Sequence, residues 1–352
     1  MKQDTNLVRG QIRGNLFELA IVYFLQNNGF KIIKEDEYNK EYIRCNKNNV
    51  TEIKGRGTWH QIDCPFDYSV NLSFMFPLRM IGEVKFYSES IHKEKIREFI
   101  GVIKDIQENY IVNEQNKYNY TMLKPRYMEF GVYFSASGFQ KEAEKLAYAH
   151  GIKTISYLNN PIIREIKNSI LKLEEHEIKA DNRKIYFEYL KKQLSGINSN
   201  DSTDIVTLKD FKDFNNIYVT TYLNNIKSVV TNFVATNDAG VLFHFVSNDL
   251  FPSNLFNNGD EQECRVRYNQ LNNIERFFWL EFTNDNMRPK RRFYFTPPKE
   301  LEKAASFGGN KIFDEKKRIF NKLSLNYKVN NIQRSLVLKI EEKWLETLRD
   351  GN

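Results

Sequence analysis

The chain has 352 residues, 41% hydrophobic and 28% charged, enough apolar material for a sizeable core and too much for a wholly disordered or fibrous protein. Its 52 Lys plus Arg against 45 Asp plus Glu leave a net charge of +7, a surplus that permits a polyanionic partner without requiring one. Three isolated cysteines, Cys45, Cys64 and Cys264, form no CxxC pair, and no apolar run approaches the roughly 20 residues that span a bilayer. A soluble, cytoplasmic protein with no membrane contact is expected, and at about 150 residues per domain it should have two domains.

Residues 15–28, NLFELAIVYFLQNN, place Leu16, Leu19, Ala20, Tyr23 and Phe24 near one helical stripe and stop at Gly29, which predicts an opening helix. Residues 30–34 read as a short strand, with 42–53 pairing beside it until Gly55 and Gly57 interrupt the pattern. HQIDCPFDYSV and PLRMIGEVKFY supply two further strands, carrying Asp63 and Glu83 on them or at their ends. Ile91, Ile96, Phe99, Ile100, Ile103 and Ile106 then recur at helical spacing. A strand over 127–135, a helix over 138–150 and a strand in IKTISYL follow. That order predicts an α/β sandwich on a mixed sheet, antiparallel where strands connect directly and parallel across the last helix.

Charged helical patterns occupy 161–193, and SGINSNDSTD at 195–204 is the best linker candidate. The boundary divides residues 1–195 from an α+β domain over 205–352. Strands are expected at 216–223, 228–235, 239–247, 277–282 and 291–296, and helices at 311–323 and 338–349. Residues 307–309, FGG, are too short for a phosphate loop. From Thr283 to Asp350 there are 16 Lys or Arg and 9 Asp or Glu, so 16 − 9 equals the whole chain's surplus. Within this stretch RPKRRFYF concentrates Arg288, Lys290, Arg291 and Arg292 beside aromatic residues, a pattern that suits phosphate contact as well as it suits a solvated edge.

Asp63 followed by Glu83-Val84-Lys85 is the most informative local feature for chemistry. In a strand, residues 83 and 85 share one face and Val84 the other. The carboxylates of Asp63 and Glu83 and the main-chain carbonyl of Val84 are oxygen donors of the kind Mg²⁺ prefers. Such an ion polarises a phosphodiester and acidifies bound water, while Lys85 orients that water or offsets developing charge. Spacing alone leaves surface salt bridges as the competing reading.

RGNLFELAIVYFLQNNGF (13–30), GRGTWHQID (55–63), GEVKFY (82–87) and FSASGFQKEAEKLAYAHGIKTI (134–155) together resemble the Mrr-like restriction endonucleases of the PD-(D/E)xK nuclease superfamily. The resemblance implies a restriction-endonuclease-like core, a central mixed sheet flanked by helices. It makes Glu18 an auxiliary acid, Asp63 the central metal-binding acid, Glu83 its partner and Lys85 the catalytic lysine. Glu83 stands where many Mrr-like enzymes carry Gln, restoring the commoner acidic form of the superfamily. Ser135 and Gly138 belong to the family-like strand-to-helix turn and are assigned to architecture. Gln107 and Tyr110 resemble a DNA-facing element of related nucleases, although ordinary helix roles compete. Arg56 and Trp59, in the loop before Asp63, are candidates to hold DNA by charge and stacking; His60 and His92 are assigned no catalytic part.

The expectation is a Mg²⁺-dependent endonuclease acting on double-stranded DNA, in restriction of foreign DNA and antiviral defence, with residues 205–352 recognising DNA and a homodimer allowed. The competing functions are a nuclease for structured RNA or branched DNA repair intermediates, and a non-catalytic nucleic-acid-binding protein. Absence of a Walker A motif argues against intrinsic ATP-driven translocation.

Overall fold

The computed structural model describes residues 2–35, 39–46, 50–69, 74–109, 126–176, 183–195, 217–252, 254–255, 259–271, 275–306, 310–329 and 332–349. The linker candidate beyond Ser195, Tyr110 and residues 307–309 lie outside them. The architecture is mixed α/β, with two open sheets and a closed barrel.

Helix α1 (Lys2–Asn27) buries Leu16, Phe17, Ala20, Phe24 and Leu25 along one flank. Gly29, at φ 83°, ends it in the left-handed conformation that glycine adopts without penalty. Six strands follow: β1 (Phe30–Ile32), β2 (Ile43–Cys45), β3 (Thr51–Lys54), β4 (Trp59–Gln61), β5 (Cys64–Tyr68) and β6 (Leu78–Lys85). Residues 42–53 do not join β1 as expected. β2 and β3 pair with each other and with β4 in a separate antiparallel sheet, because β5 takes the edge of β1. The segment expected as one strand through Asp63 therefore divides between two sheets, with Asp63 at the break.

Next come α2 (Lys93–Gln107), β7 (Met128–Ser135), α3 (Lys141–Ala149), β8 (Lys153–Ser156), α4 (Pro161–His176) and α5 (Arg183–Ser195). The main sheet runs β1-β5-β6-β7-β8. It is antiparallel at β1/β5 and β5/β6 and parallel at β6/β7 and β7/β8, the last two joined through α2 and α3. Period-two alternation sorts its side chains: Phe66, Met80, Val84, Val132 and Phe134 meet α1 and α4, while Ile81 and Tyr133 meet α2 and α3.

Helix α6 (Ile217–Lys227) occupies the segment expected as a strand. Its β-branched Val and Thr residues favour strand locally, but Val219, Tyr222, Leu223 and Ile226 are spaced for one helical face and complete the core with α1 and α4. Residues 217–227, assigned from sequence to the second domain, thus share the first core.

The remaining elements are β9 (Thr231–Asn237), β10 (Leu242–Ser247), β11 (Glu261–Leu271), β12 (Glu275–Phe282), β13 (Phe293–Phe295), α7 (Glu302–Ser306), α8 (Asn310–Phe320), β14 (Leu323–Val329), β15 (Ile332–Ile340) and α9 (Glu342–Arg349). The seven strands close in the order β10-β13-β12-β11-β15-β14-β9, with β9 pairing back to β10. Phe233, Phe243, Phe245, Phe293 and Phe295 are almost wholly buried in its core, with ring centroids 4.8–6.3 Å apart in successive pairs. The helix expected at 338–349 begins only at Glu342, after β15 has run through Ile340.

Barrel and main sheet are joined by polar contacts. The Tyr157 hydroxyl lies 2.7 Å from Nδ1 of buried His244, and Lys153 Nζ donates to the Gly240 carbonyl at 2.6 Å. The Glu144 carboxylate accepts the Lys299 N–H at 2.8 Å. Among the described residues no helix is long and apolar enough to cross a membrane.

Candidate active site

The close approach of β5 to β6 builds the site. Cys64 pairs with Gly82, and a Cβ added to Gly82 would stand 2.6 Å from the Cys64 Cβ, so only glycine permits this spacing. Asp63, one residue before β5, is thereby carried to the end of β6. Its Oδ2 accepts the Val84 N–H at 2.9 Å and Lys85 Nζ at 3.0 Å. Lys85 also pairs with the Glu83 carboxylate. Glu83 and Lys85 share a strand face, while Val84 between them is buried in the opposite core. The Asp63, Glu83 and Lys85 side chains retain 13%, 24% and 24% exposure, sheltered but open to solvent.

The electrostatics are unbalanced. Burial, then the negative charge of Asp63, pushes the half-buried Glu18 of α1 up to about 8, against the pull of Lys191 and Lys85. Glu83 is likewise raised, by burial first and Asp63 second. Burial pulls the Lys85 ammonium down, but Asp63 and Glu83 outweigh it and hold its pKa above the usual lysine value. Three acids thus compete for one central cation. Lys191, on α5, is the second cation near Glu18; no motif marks it, and it is recognised only once α5 folds beside α1.

These residues fit a hard divalent cation. Asp63 and Glu83, with the Val84 carbonyl, form an oxygen donor set, and both hydrogen bonds given for Asp63 fall on Oδ2. The raised Glu18 and Glu83 mark an excess of negative charge that such an ion would relieve. Among the described residues no cluster of three or more His, Cys, Asp or Glu side chains is arranged for a metal. The donor set here is two carboxylates and a main-chain oxygen, consistent with Mg²⁺, which keeps several waters.

The other sequence candidates have separate roles. The carboxylate of Asp105 on α2 meets His60 Nε2 at 2.7 Å and accepts the Gly57 N–H at 2.9 Å. A Cβ on Gly55 would lie 2.0 Å from Asp105 Oδ2, so the glycine loop is moulded around that carboxylate. Arg56 extends to Glu108 at 3.5 Å, and the Arg44 guanidinium lies 4.3 Å from the Trp59 ring centroid, covering the ring proposed for stacking. Gln107 donates to the Glu129 carbonyl at 2.8 Å. Glu129 pairs with Arg79, at the opposite end of β6 from Lys85, so Gln107 is not brought to the site.

The basic segment between β12 and β13 makes contacts within the protein. Lys290 Nζ donates to the carbonyls of Phe282 and Thr283. Arg291 reaches the Leu250 carbonyl at 3.0 Å and buried Asp285 at 3.7 Å. Arg288 donates to the Met287 carbonyl at 3.0 Å, and Arg292 lies over Trp279 at 4.9 Å. Each of these four cations has an internal contact, and Arg288 and Arg292 remain exposed.

No protein-family model and no curated protein matches the chain. Among solved structures it is similar to AF1548, titled a protein of unknown function, at 13% identity over 52% of this chain and 99% of that one. The TM-score is 0.28, too low to carry fold or function.

Proposed function

We propose that the protein is a Mg²⁺-dependent endonuclease that hydrolyses double-stranded DNA, with a restriction-endonuclease-like core of the kind its Mrr-like motifs imply. The observation that carries this reading is the convergence of Asp63, Glu83 and Lys85 at one strand end, whose charges act on Glu18 of α1.

When bound, Mg²⁺ supplies charge stabilisation at the phosphoryl group and an acidified water. The chain's own residues do the rest. The Val84 N–H fixes the Asp63 carboxylate. Lys85, held protonated between two carboxylates, acts as a cation and hydrogen-bond donor to the attacked phosphate or its water, not as a base. Glu18, with its pKa pushed up to about 8, retains a proton in much of its population near neutral pH. Restriction of foreign DNA is the biological setting that the resemblance suggests.

The test compares wild type with Asp63→Ala and Lys85→Ala in Mg²⁺, on modified and unmodified duplex DNA with an RNA control. Circular dichroism confirms folding. Hydrolysis by wild type and its loss in both variants is expected. Unchanged hydrolysis in both variants would remove the site, and cleavage of RNA alone would replace the substrate.

A further inference from the structure

Immediately beyond Lys85 the chain forms one wall of a half-open cavity of about 480 Å³, within the range of pockets that take small ligands. Phe86 and Ile91 give it a rigid apolar floor: Ile91 is 1% exposed, and Phe86 is fixed edge-on against Phe17 at 5.5 Å. Tyr87, 43% exposed, lines the cavity and offers an aromatic face. It is two residues from Lys85, at most about 7 Å of chain.

The opposite wall is α1 at Gly10 and Arg13. Gly10 and Gly14 are poor helix formers, and a Cβ added to either would meet nothing within 4 Å, so neither is required by the protein's own packing. Gly10, Gly14 and Glu18 follow one another at i, i+4 and i+8, on one helix face. Gly10, at the cavity, is therefore about 12 Å along the helix axis from Glu18 at the acidic site. The charged groups around the cavity cancel, Arg13 and Lys95 against Glu89 and Glu94, which disfavours a phosphate cradle and suits a flat, uncharged ring.

We propose that this cavity receives one unstacked nucleobase of the strand being cut, next to the scissile phosphate, with Tyr87 stacking on it and Gly10 giving it room. The assignment rests on the nuclease reading and makes the substrate at the moment of cleavage a locally unpaired strand. Specificity at that position then comes from the cavity wall.

The test uses the full chain carrying Asp63→Asn, with labelled single-stranded and duplex DNA followed by fluorescence anisotropy. A Gly10→Met substitution plugs the cavity, and Tyr87→Ala removes the stacking face. Each should weaken single-strand binding by about tenfold without lowering the thermal midpoint. An abasic residue scanned along the strand should find one position that costs as much, and there Tyr87→Ala should add no further loss. Wild-type affinity in both variants, no binding by the parent, or an abasic scan with no sensitive position overturns the cavity's role. If the binding losses appear while wild type hydrolyses nothing, the cavity stands and the nuclease reading falls. If wild type cleaves but Gly10→Met and Tyr87→Ala bind and cleave like their parents, the reverse holds.

Discussion

Two groups of sheltered acids, one on the barrel and one at the end of β6, are matched with cations in opposite ways. On the barrel, each of two well-sheltered acids has a cation of its own: Arg265 grips Glu341 with both of its forks, and Arg267 meets Glu281 at 2.9 Å while the Trp279 indole donates to the same carboxylate at 2.7 Å. The hydrogen bond from Arg265 accordingly holds the Glu341 carboxyl below its usual range. At the end of β6, Asp63, Glu83 and Glu18 divide Lys85 among them, and Glu18 and Glu83 are pushed upward. Charges that stabilise a fold are matched locally, whereas unmatched charges at low exposure are what a site needs to attract a cation or hold a proton.

Neutralising one acid in each half separates these uses. Asp63→Asn should reduce DNA hydrolysis on the order of 1,000-fold while the thermal midpoint holds or rises, because one of three repelling carboxylates is gone. Glu341→Gln should do the converse, costing about 1–3 kcal/mol in denaturant unfolding while activity per folded molecule is retained. Equal effects of the two substitutions on stability would erase the contrast.

The barrel's apolar core gives a larger loss of stability by another route. Phe245→Ala removes a ring packed 4.8–4.9 Å from Phe295 and Phe233 and should cost about 3–5 kcal/mol, read from urea midpoints. A much smaller loss would mean that the barrel contributes little to global stability.

The smallest effect concerns Glu144, where the halves meet. Burial pushes its carboxyl up to about 7, against the pull of the Lys299 and Glu300 N–H groups. A folded pKa above the unfolded one gives stability that is complete below about pH 4.5 and lost as pH rises through about 7. Glu144→Gln should therefore match wild type at pH 4 and exceed it at pH 8 by on the order of 1 kcal/mol. A difference that does not change with pH would contradict that environment.

Much of the first half was legible because its signals are local. The stripe of α1, Gly29, the isoleucines of α2 and the run of β7 each specify their own element. Asp63, Glu83 and Lys85 were legible by type and spacing. Lys191 was not, since α5 carries no pattern tying it to Glu18. Residues 216–223 misled because their β-branched side chains favour a strand, and a helical face against α4 overrode that preference. β11 and β14 were not among the expected strands, although Cys264, Val266 and Tyr268 and then Leu323, Leu325 and Tyr327 alternate with polar residues, and their pairing depends on partners far apart in sequence, as when Cys264 pairs with Ile340. Composition marked the cations at 288–292 but cannot say that the carbonyls of Phe282 and Thr283 would consume Lys290.

Closure of the barrel also decides how the second half can meet another molecule. A strand at the margin of an open sheet presents unused N–H and C=O groups, and a passing chain can add itself there with little regard to sequence. Once β9 returns to β10, every strand of the ring has a neighbour on both sides. Along the paired stretches, recognition by this half falls to side chains on the outer wall and to the connecting loops, surfaces that discriminate by shape and chemistry, while β11 beyond Cys264 and β15 before Val337 extend past their mutual pairing.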